Sequence, residues 1–388
     1  MRKLQVQRSH FSSGYMRIQI GVLHSAICPD QHVSSRIKAF ISFLCAPIRM
    51  RVLIVGAGAT GQVIGAALAA QSDKVAYLVR HSSADTLELC VTKLPMRSLG
   101  QFRSREWRST CASYSSVSAV LSAGIAWDAV FLAVAAPALR GAWLPELLRG
   151  CQTAVIIFIA GGVADSERSH LIASGATEGR LLQLGFTAIA WQSPLPALHA
   201  SLSAILASPT AAVPPAKISC VTPSPLLLAG PAIATELAKA LDAGGVPCTA
   251  VRSVADLVFA DCILLPLCAA LGCVGWSFAR LRANGELRTL AAATSRECIG
   301  VAQKTSAGPS LLWRFLVHFI RGHLLFLILL LAPLVLPFDF EAYLAHHFGA
   351  KHGVSGQIDL FLDAFDKESG DDALCLRELL RRRRVRRE

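Results

Sequence analysis

The sequence is poor in charged residues, and in acidic ones above all. Only 16% of its 388 residues are charged, and 26 acids stand against 38 bases, for a formal charge of +12. The excess lies at the two ends, because residues 1–49 carry +6 and residues 377–388 carry +5, which leaves +1 between them. A nearly neutral body argues against a nucleic-acid-binding protein. We interpret the Arg-rich end as a solvated, frayed helix end.

Cysteine pairs of the kind that hold a metal are also missing. The twelve cysteines are scattered, with no C-x-x-C pair and no Cys/His cluster at metal-ligand spacing. We therefore expect no bound metal, and reduced thiols in an intracellular protein.

The sequence lacks a convincing transmembrane helix as well. The apolar run from Leu324 to Phe338 has fifteen residues. A helix of that length spans roughly 22 Å, against ~30 Å of hydrocarbon in a bilayer. Pro333 and Pro337 also interrupt it. We expect a helix buried in a helical domain or a dimer interface, and the alternative is a protein held on a membrane by residues 311–338.

What the sequence does contain is a glycine-rich turn between a strand and a helix. Val52 to Val55 is an aliphatic run typical of a buried parallel strand, and the spacing G-x-G-x-x-G begins directly after it at Gly56. A small-residue helix over 63–70 and a second strand over 75–79 complete a βαβ unit. Such a loop brings backbone N–H groups to a pyrophosphate. We predict a dinucleotide site formed by Gly56, Ala57, Gly58, Ala59, Thr60 and Gly61.

The residue after the second strand indicates which dinucleotide is bound. NAD sites usually place an acid there for the ribose hydroxyls, whereas this chain has Arg80 and His81, and no acid until Asp85. An Arg at this point accommodates a 2′-phosphate, so we predict NADP (NADPH) as the cofactor. The alternative is a solvated Arg at a strand end.

The remaining pattern predicts an α/β fold, with an N-terminal Rossmann doubly wound sheet followed by an all-helical C-terminal domain. Further buried strands are expected at 129–134, 154–160 and 181–189, and residues 82–126 are expected to form excursions with weak strands. From Val254 onward the periodicity is helical, with a final helix over 358–380.

We expect four segments along the chain. Residues 1–49 form an extension, 50–250 the dinucleotide-binding domain, 251–376 a helical substrate and dimerisation domain, and 377–388 a basic tail. The extension is basic and Ser-rich, which fits either a mitochondrial transit peptide or a start codon assigned too early. We expect a cytoplasmic protein, or a mitochondrial one if the extension is a transit peptide.

Several motifs in order resemble those of the ketopantoate reductase (2-dehydropantoate 2-reductase) family, within the 6-phosphogluconate-dehydrogenase-like superfamily. The resemblance covers about 50–376. It rests on MRVLIVGAGATG at the first strand, DAVFLAV at 128–134, IFIAGGVADSE at 157–167, AGGVP at 243–247 and NGELR at 284–288. It implies an NADP-dependent reductase that transfers hydride to a 2-oxo acid or related carbonyl compound.

The family's catalytic residues are mostly replaced. Its Lys after the fourth-strand motif corresponds to Ala135, and its Asn before the N-G glycine corresponds to Ala160. Its catalytic Lys in the helical domain falls nearest Asp261, and no Lys lies between Lys239 and Lys304. Ketopantoate reduction is therefore expected to be weak or absent.

Another group of polar residues could supply the proton that a ketone reduction needs. His346, His347, Lys351 and His352 cluster near a predicted helix end, and among them we predict Lys351 and His347 as catalytic. The alternative is a solvated helix end.

The predicted partners are a small-molecule carbonyl substrate and, through the helical domain, a second copy in a homodimer. No nucleic acid is expected. The alternative function is a non-catalytic NADP-binding relative with a degenerate active site.

Overall fold

The computed structural model describes residues 50–80, 85–96, 100, 103–159, 164–195, 217–305, 320, 322–351, 357–369 and 373–385. Residues 48–388 form one compact unit. The predicted extension over residues 1–49 lies outside the described residues.

All strands of the described chain belong to one sheet. They are β1 (Arg51–Val55), β2 (Lys74–Leu78), β3 (Thr86–Lys93), β4 (Arg105–Tyr114), β5 (Ala129–Leu132), β6 (Val155–Ile159), β7 (Leu181–Gly185), β8 (Ile189–Gln192), β9 (Ile218–Val221), β10 (Leu226–Ala229) and β11 (Cys248–Val251). Their order across the sheet is β11-β10-β7-β6-β5-β1-β2-β4-β3-β9-β8.

The middle of this sheet is a Rossmann sheet. The pairs β4–β2, β2–β1, β1–β5, β5–β6 and β6–β7 are all parallel. These six parallel strands, renumbered 1 to 6 in chain order, lie side by side in the order 3-2-1-4-5-6 of a doubly wound fold. β10 joins β7 and β3 joins β4 in antiparallel fashion, and so extend the sheet on both sides. The predicted fold class is confirmed.

The aliphatic strands face two cores, one on each side of the sheet. Val52 and Ile54 pack on helices α1 (Ala59–Ala69) and α5 (Ile233–Ala243). The alternate residues Leu53 and Val55 pack on the other side with α2 (Val117–Ser122), α3 (Trp143–Gly150) and α4 (Ala164–Ala173). Burial on both faces explains why these strands read as continuous apolar runs rather than as alternating patterns.

Two expectations about strands were wrong. Residues 82–126 were expected to hold only weak strands, yet they contain β3 and β4, and β4 is the third strand of the parallel sheet. More than half of the residues of β4 are polar, so it lacks the apolar run of a central strand. The strand predicted over 181–189 is in fact two, β7 and β8, which lie in different parts of the sheet.

The chain after β11 is helical throughout its described part. Its helices are α6 (Ala255–Cys273), α7 (Phe278–Ala283), α8 (Gly285–Thr305), α9 (Gly322–Val335), α10 (Phe340–Leu344), a π-helical segment (Ala345–Lys351), α11 (Gln357–Ser369) and α12 (Leu374–Val385). The predicted single helix over 358–380 is thus divided between α11 and α12, and residues 370–372 lie outside the description.

Carboxylates from neighbouring helices cap two of these helices. Glu297 on α8 accepts hydrogen bonds from the backbone N–H groups of Cys375 and Leu376 at the start of α12, at 3.1 and 2.8 Å. Glu341 on α10 likewise accepts from Phe278 N at the start of α7, at 2.9 Å. An acid at a helix N-terminus satisfies free donors and complements the helix dipole.

The apolar run at 324–338 is only partly buried. In α9, Leu325 and Leu329 enter the helical core, whereas Leu334 is 78% exposed and four neighbours on the same side are also exposed. The helix is therefore buried in the helical domain along one side only, and the burial of its other side in a dimer interface stays a prediction. No single described helix is long and apolar enough to cross a membrane, although α9 and residues 340–349 pass that test jointly as a pair bent by 111°.

The interpretation of the Arg-rich end as a solvated, frayed helix end is wrong for the residues up to Arg384. The Arg383 side chain is 5% exposed, and its Nε lies 2.7 Å from Asp359 Oδ1 on α11. Arg384 pairs with Asp363 on the same helix, at 2.9 Å. The basic residues of α12 therefore hold this helix against α11 and leave little free positive charge.

We expect the two neighbouring ion pairs to differ sharply in their contribution to stability. Arg383→Met removes the arginine that pairs with the largely buried Asp359 carboxylate, which should cost about 3 kcal/mol in free energy of unfolding. The control Arg384→Met removes an exposed pair and should cost less than about 1 kcal/mol. Urea unfolding of both variants measures the difference, and equal losses would contradict the assignment of Arg383 to the core.

Candidate functional site

The glycine loop lies where the direction of strand order reverses. It follows β1, whose neighbours β2 and β5 run to opposite halves of the sheet. Gly56 N donates to Leu78 O at the end of β2, and Ala133 N after β5 donates to Val55 O, both at 2.9 Å. Ligands of open α/β sheets bind in the crevice at such a switch point, outside the carboxyl ends of the strands. The glycine loop lies at such a switch point, and its binding of a dinucleotide stays a prediction.

The three glycines of the loop are needed for different reasons. Gly56 has φ +99°, and a Cβ there would lie 2.7 Å from Ala133 O. A Cβ on Gly61 would lie only 2.1 Å from Gly56 O. A Cβ on Gly58 would meet nothing within 4 Å. The fold itself thus requires glycine at 56 and 61, whereas the space above Gly58 is left open to a ligand.

The start of α1 is free to receive an anion. Gly58 is the N-cap residue, and no side chain caps the helix, which has no acid in its first turn. The Gln62 side chain instead donates from Nε2 to Ala57 O at 2.9 Å, which fixes the loop from inside. Uncapped N–H groups and the positive end of the helix dipole suit a pyrophosphate.

Two residues that the sequence did not single out hold α1 in place. The buried Tyr77 hydroxyl donates to Gly61 O at 3.0 Å, and Gly65 leaves room for it, since a Cβ there would lie 1.8 Å from the hydroxyl oxygen. Burial raises the pKa of Tyr77, so the phenol remains a donor. The signal in the sequence was a tyrosine within the second strand together with Gly61 and Gly65 four residues apart on a helix.

The AGGVP motif supports the other end of α1. A Cβ on Gly244 would lie 2.0 Å from Ala67 O, so only glycine allows α5 to end against α1. Trp107 Nε1 donates to Gly244 O at 2.9 Å from strand β4. The motif therefore acts by packing and positions the helix that carries the glycine loop.

Arg80 lies at the same edge of the sheet as the glycine loop. It is exposed, two residues after the end of β2, and forms no ion pair with a carboxylate of the described chain. A guanidinium group so placed is available to a phosphate. His81 lies outside the described residues.

The positions matched to the family's catalytic residues carry little chemistry. Ala135 is exposed just after β5 and offers only a methyl group. Ala160 lies outside the described residues. Asp261 lies partly buried within α6, next to Cys262, whose pKa is raised by burial first and by the charges of Cys298 and Asp261 after it.

His347 belongs to an aromatic cluster in the helical part of the chain. Its ring stacks on Tyr343 at 5.2 Å between centroids and meets Phe348 edge-on at 4.7 Å. Tyr343 in turn contacts Trp191 of β8. Burial raises the pKa of Tyr343, which keeps its hydroxyl protonated. Lys351 ends the π-helical segment, and its side chain and His352 lie outside the description.

A carboxyl group that sequence reasoning left unassigned lies near the ends of β5 and β6. Glu167 on α4 is buried, and burial raises its pKa, although Arg140 and His170 nearby oppose the shift. His170 Nε2 lies 2.9 Å from Leu139 O, in the short 3-10 helix that follows β5. Such a carboxyl holds its proton to a higher pH than an exposed Glu and can donate it. Its only sequence signal was its place at the end of IFIAGGVADSE.

No group of three or more His, Cys, Asp or Glu side chains suited to a metal ion occurs within the described part of the chain.

Comparison with known proteins gives likeness of structure without likeness of sequence. No family model and no curated protein sequence matches the chain. A 2-dehydropantoate 2-reductase from Geobacter metallireducens GS-15 superposes with a TM-score of 0.57 at 14% identity, over 87% of this chain and all of that one. A D-mandelate dehydrogenase solved with NADH gives 0.54 at 12%, over 87% and 98%. A putative ketopantoate reductase from Ralstonia solanacearum MolK2 gives 0.54 at 14%, over the same shares.

The chain has the ketopantoate reductase fold. The resemblance predicted from the motifs is thereby confirmed at the level of the fold, over nearly the whole length of those proteins.

Two matched substitutions in the glycine loop should differ strongly in their effect on stability. Gly61→Ala forces a Cβ against Gly56 O and should lower the free energy of unfolding by several kcal/mol, or prevent folding. Gly58→Ala meets no atom, and its unfolding free energy should change by less than about 1 kcal/mol. Thermal or urea unfolding of both variants tests this, and a Gly58→Ala variant as unstable as Gly61→Ala would contradict the open space.

Proposed function

We propose that the protein is a divergent member of the ketopantoate reductase family, an NADP-dependent oxidoreductase acting on a 2-oxo acid or related carbonyl compound. One observation carries the proposal. At the switch point of a Rossmann sheet, an uncapped helix start faces open space above Gly58, although the fold places no steric demand for glycine there. Glycine at that position is useful chiefly if a ligand's pyrophosphate approaches the backbone.

The residues present fit a nicotinamide dinucleotide. The backbone of residues 56–61 and the start of α1 would hold the pyrophosphate, and Arg80 would hold a 2′-phosphate. The bound nicotinamide would supply a hydride to the carbonyl carbon. The chain's own task is then to deliver a proton to the carbonyl oxygen.

The proposed proton donors are His347 and Lys351, and Glu167 is a further one that the structure adds. His347 is held by its stacking on Tyr343, and burial raises the pKa of Glu167. In place of a donor after β5 the chain has Ala135, so a reductase would need its proton donor elsewhere, and these three groups are the ones that we propose.

The same Ala135 favours a second function, a non-catalytic NADP-binding relative that senses or sequesters the nucleotide. Such a protein would keep the glycine loop and lose the polar groups that polarise a carbonyl. Tight NADPH binding without turnover on any 2-oxo acid would decide for it. The homodimer and the cytoplasmic location remain predictions.

Nucleotide binding should require Gly58 and favour NADPH through Arg80. Gly58→Asp should fold normally yet lose binding, because its carboxylate would enter the pyrophosphate space. Arg80→Ala should weaken NADPH binding by about tenfold or more and leave NADH binding unchanged. Fluorescence or calorimetric titration with both nucleotides measures this. Equal affinity of the wild type for NADH and NADPH would refute the role of Arg80.

Ketopantoate reduction should be weak or absent, since a missing electrostatic donor typically costs ~10²–10³ in rate. If another 2-oxo acid is reduced, His347→Ala or Lys351→Ala should lower kcat by about tenfold or more, and His323→Ala, an exposed control on α9, should not. Steady-state NADPH oxidation with a panel of 2-oxo acids is the measurement. Robust ketopantoate turnover that neither substitution affects would show that the catalytic residues are misassigned.

A further inference from the structure

A crevice lies at the edge of the sheet opposite the glycine loop. It has a volume of about 410 Å³ and is formed where β7 begins and where β10 and β11 end. β7 is parallel to β1 through β6 and β5, so the start of β7 lies at the edge away from the loop. β10 runs antiparallel to β7, and Ala229 at its end pairs with Gln183 near the start of β7. The crevice is therefore separate from the site proposed for the dinucleotide.

A second βαβ unit, which runs in the opposite direction to the first, forms one wall of this crevice. β10, α5 and β11 follow each other in the chain, and β10 and β11 are parallel neighbours in the sheet. Gly230, directly after β10, has φ +154°, and a Cβ there would lie 2.7 Å from Leu182 Cγ. Glycine is therefore needed where β10 ends against β7. Ligands of open α/β sheets bind in the crevice outside the carboxyl ends of parallel strands, and β10 and β11 end at this crevice.

Two arginines line the crevice together with one glutamate. Arg252 follows β11, is exposed, and forms no ion pair with any carboxylate whose side chain the structure describes. Arg168 on α4 donates to Glu178 Oε1 through Nε, at 2.9 Å, and through Nη2. Both bonds go to one oxygen, and Nη1 of Arg168 forms no hydrogen bond within the described chain. Gln183 and Ser253 also line the crevice. Its lining is thus polar, with two positive charges against one negative charge.

We propose that this crevice binds a phosphate group, either inorganic phosphate or the phosphate of a small metabolite. Guanidinium groups bind phosphate oxygens through paired, charge-assisted hydrogen bonds, and two of them line one crevice here. The phosphate would accept from Arg252 and from the Nη1 side of Arg168, while Glu178 stays bound to the other side of Arg168. The volume lies within the range of about 300–1,000 Å³ that is usual for small-ligand sites.

Glu178 makes the proposal testable in both directions. Its carboxylate occupies two donors of Arg168 and lowers the net charge of the lining, so it competes with a bound anion. Removing its charge should therefore strengthen phosphate binding, whereas removing the charge of Arg252 should weaken it. The Glu178 side chain is 62% exposed, so its ion pair with Arg168 contributes little to stability.

Calorimetric titration of the full chain with inorganic phosphate and with glycerol 3-phosphate tests the proposal. Arg252→Met should weaken the binding of both by about tenfold or more, and Glu178→Gln should strengthen it several-fold. Because phosphate also suits the glycine loop, the same titrations are made with Gly58→Asp, in which binding at the crevice should persist. Tighter binding of glycerol 3-phosphate than of inorganic phosphate would identify a metabolite as the ligand, and the reverse order would identify free phosphate.

The matched control is Arg149→Met, which removes the same charge from an exposed arginine at the end of α3, outside the crevice. It should bind phosphate as the wild type does. Without phosphate, the variants at 149, 178 and 252 should melt within about 2 °C of the wild type, because surface substitutions rarely change stability much. Unchanged binding by Arg252→Met would overturn the proposal. So would a complete loss of phosphate binding in Gly58→Asp, since the glycine loop would then be the phosphate site.

Discussion

The close approach of α1 to the first turn of the glycine loop is the constraint on which the rest of the site depends. Gly61, in the first turn of the helix, lies so close to the carbonyl of Gly56 that a Cβ there would be 2.1 Å from its oxygen. Tyr77 below and Gly244 behind then fix the helix at both ends. The approaches at Gly61 and Gly244 bring backbone against backbone so closely that a single methyl group would prevent them, and the Tyr77 hydrogen bond holds the helix between them.

Sequence reasoning succeeded where one local pattern determines the structure. The run from Val52 to Gly61 contains a buried strand, a turn and a helix start within ten residues, so the Rossmann unit and its loop could be predicted. β4 could not, because its place in the sheet comes from pairing with β2, some thirty residues away in sequence, and not from its own apolar pattern. The division of residues 181–192 between two distant strands escaped prediction for the same reason.

Side-chain roles were harder to predict than elements. A run of arginines reads as solvated charge until its partners are known, and the partners Asp359 and Asp363 lie on another helix. An apolar run of leucines likewise reads as buried, although only the side of α9 that meets α7 and α8 is covered. The buried Glu167 gave no sign of its surroundings, because Arg140 comes from the 3-10 helix that follows β5, although His170 lies one turn along the same helix α4. In each case the decisive information is the identity of a neighbour in space.

The pairing of β1 with β5 at the centre of the sheet has a consequence for how the protein folds. Arg51 at the start of β1 binds Asp128 at the start of β5 through its backbone N–H and its guanidinium group, across 77 positions of sequence, and this guanidinium holds the pKa of Asp128 below its usual range. Closing such a long chain segment costs conformational entropy before the contacts it allows are made, which slows folding. The glycine loop directly follows β1 and packs against Ala133 after β5, so its shape depends on the pairing of these two strands. The glycine loop therefore reaches its binding geometry only when β1 has paired with β5. A ligand bound at the loop would shift the folding equilibrium toward the paired strands by mass action.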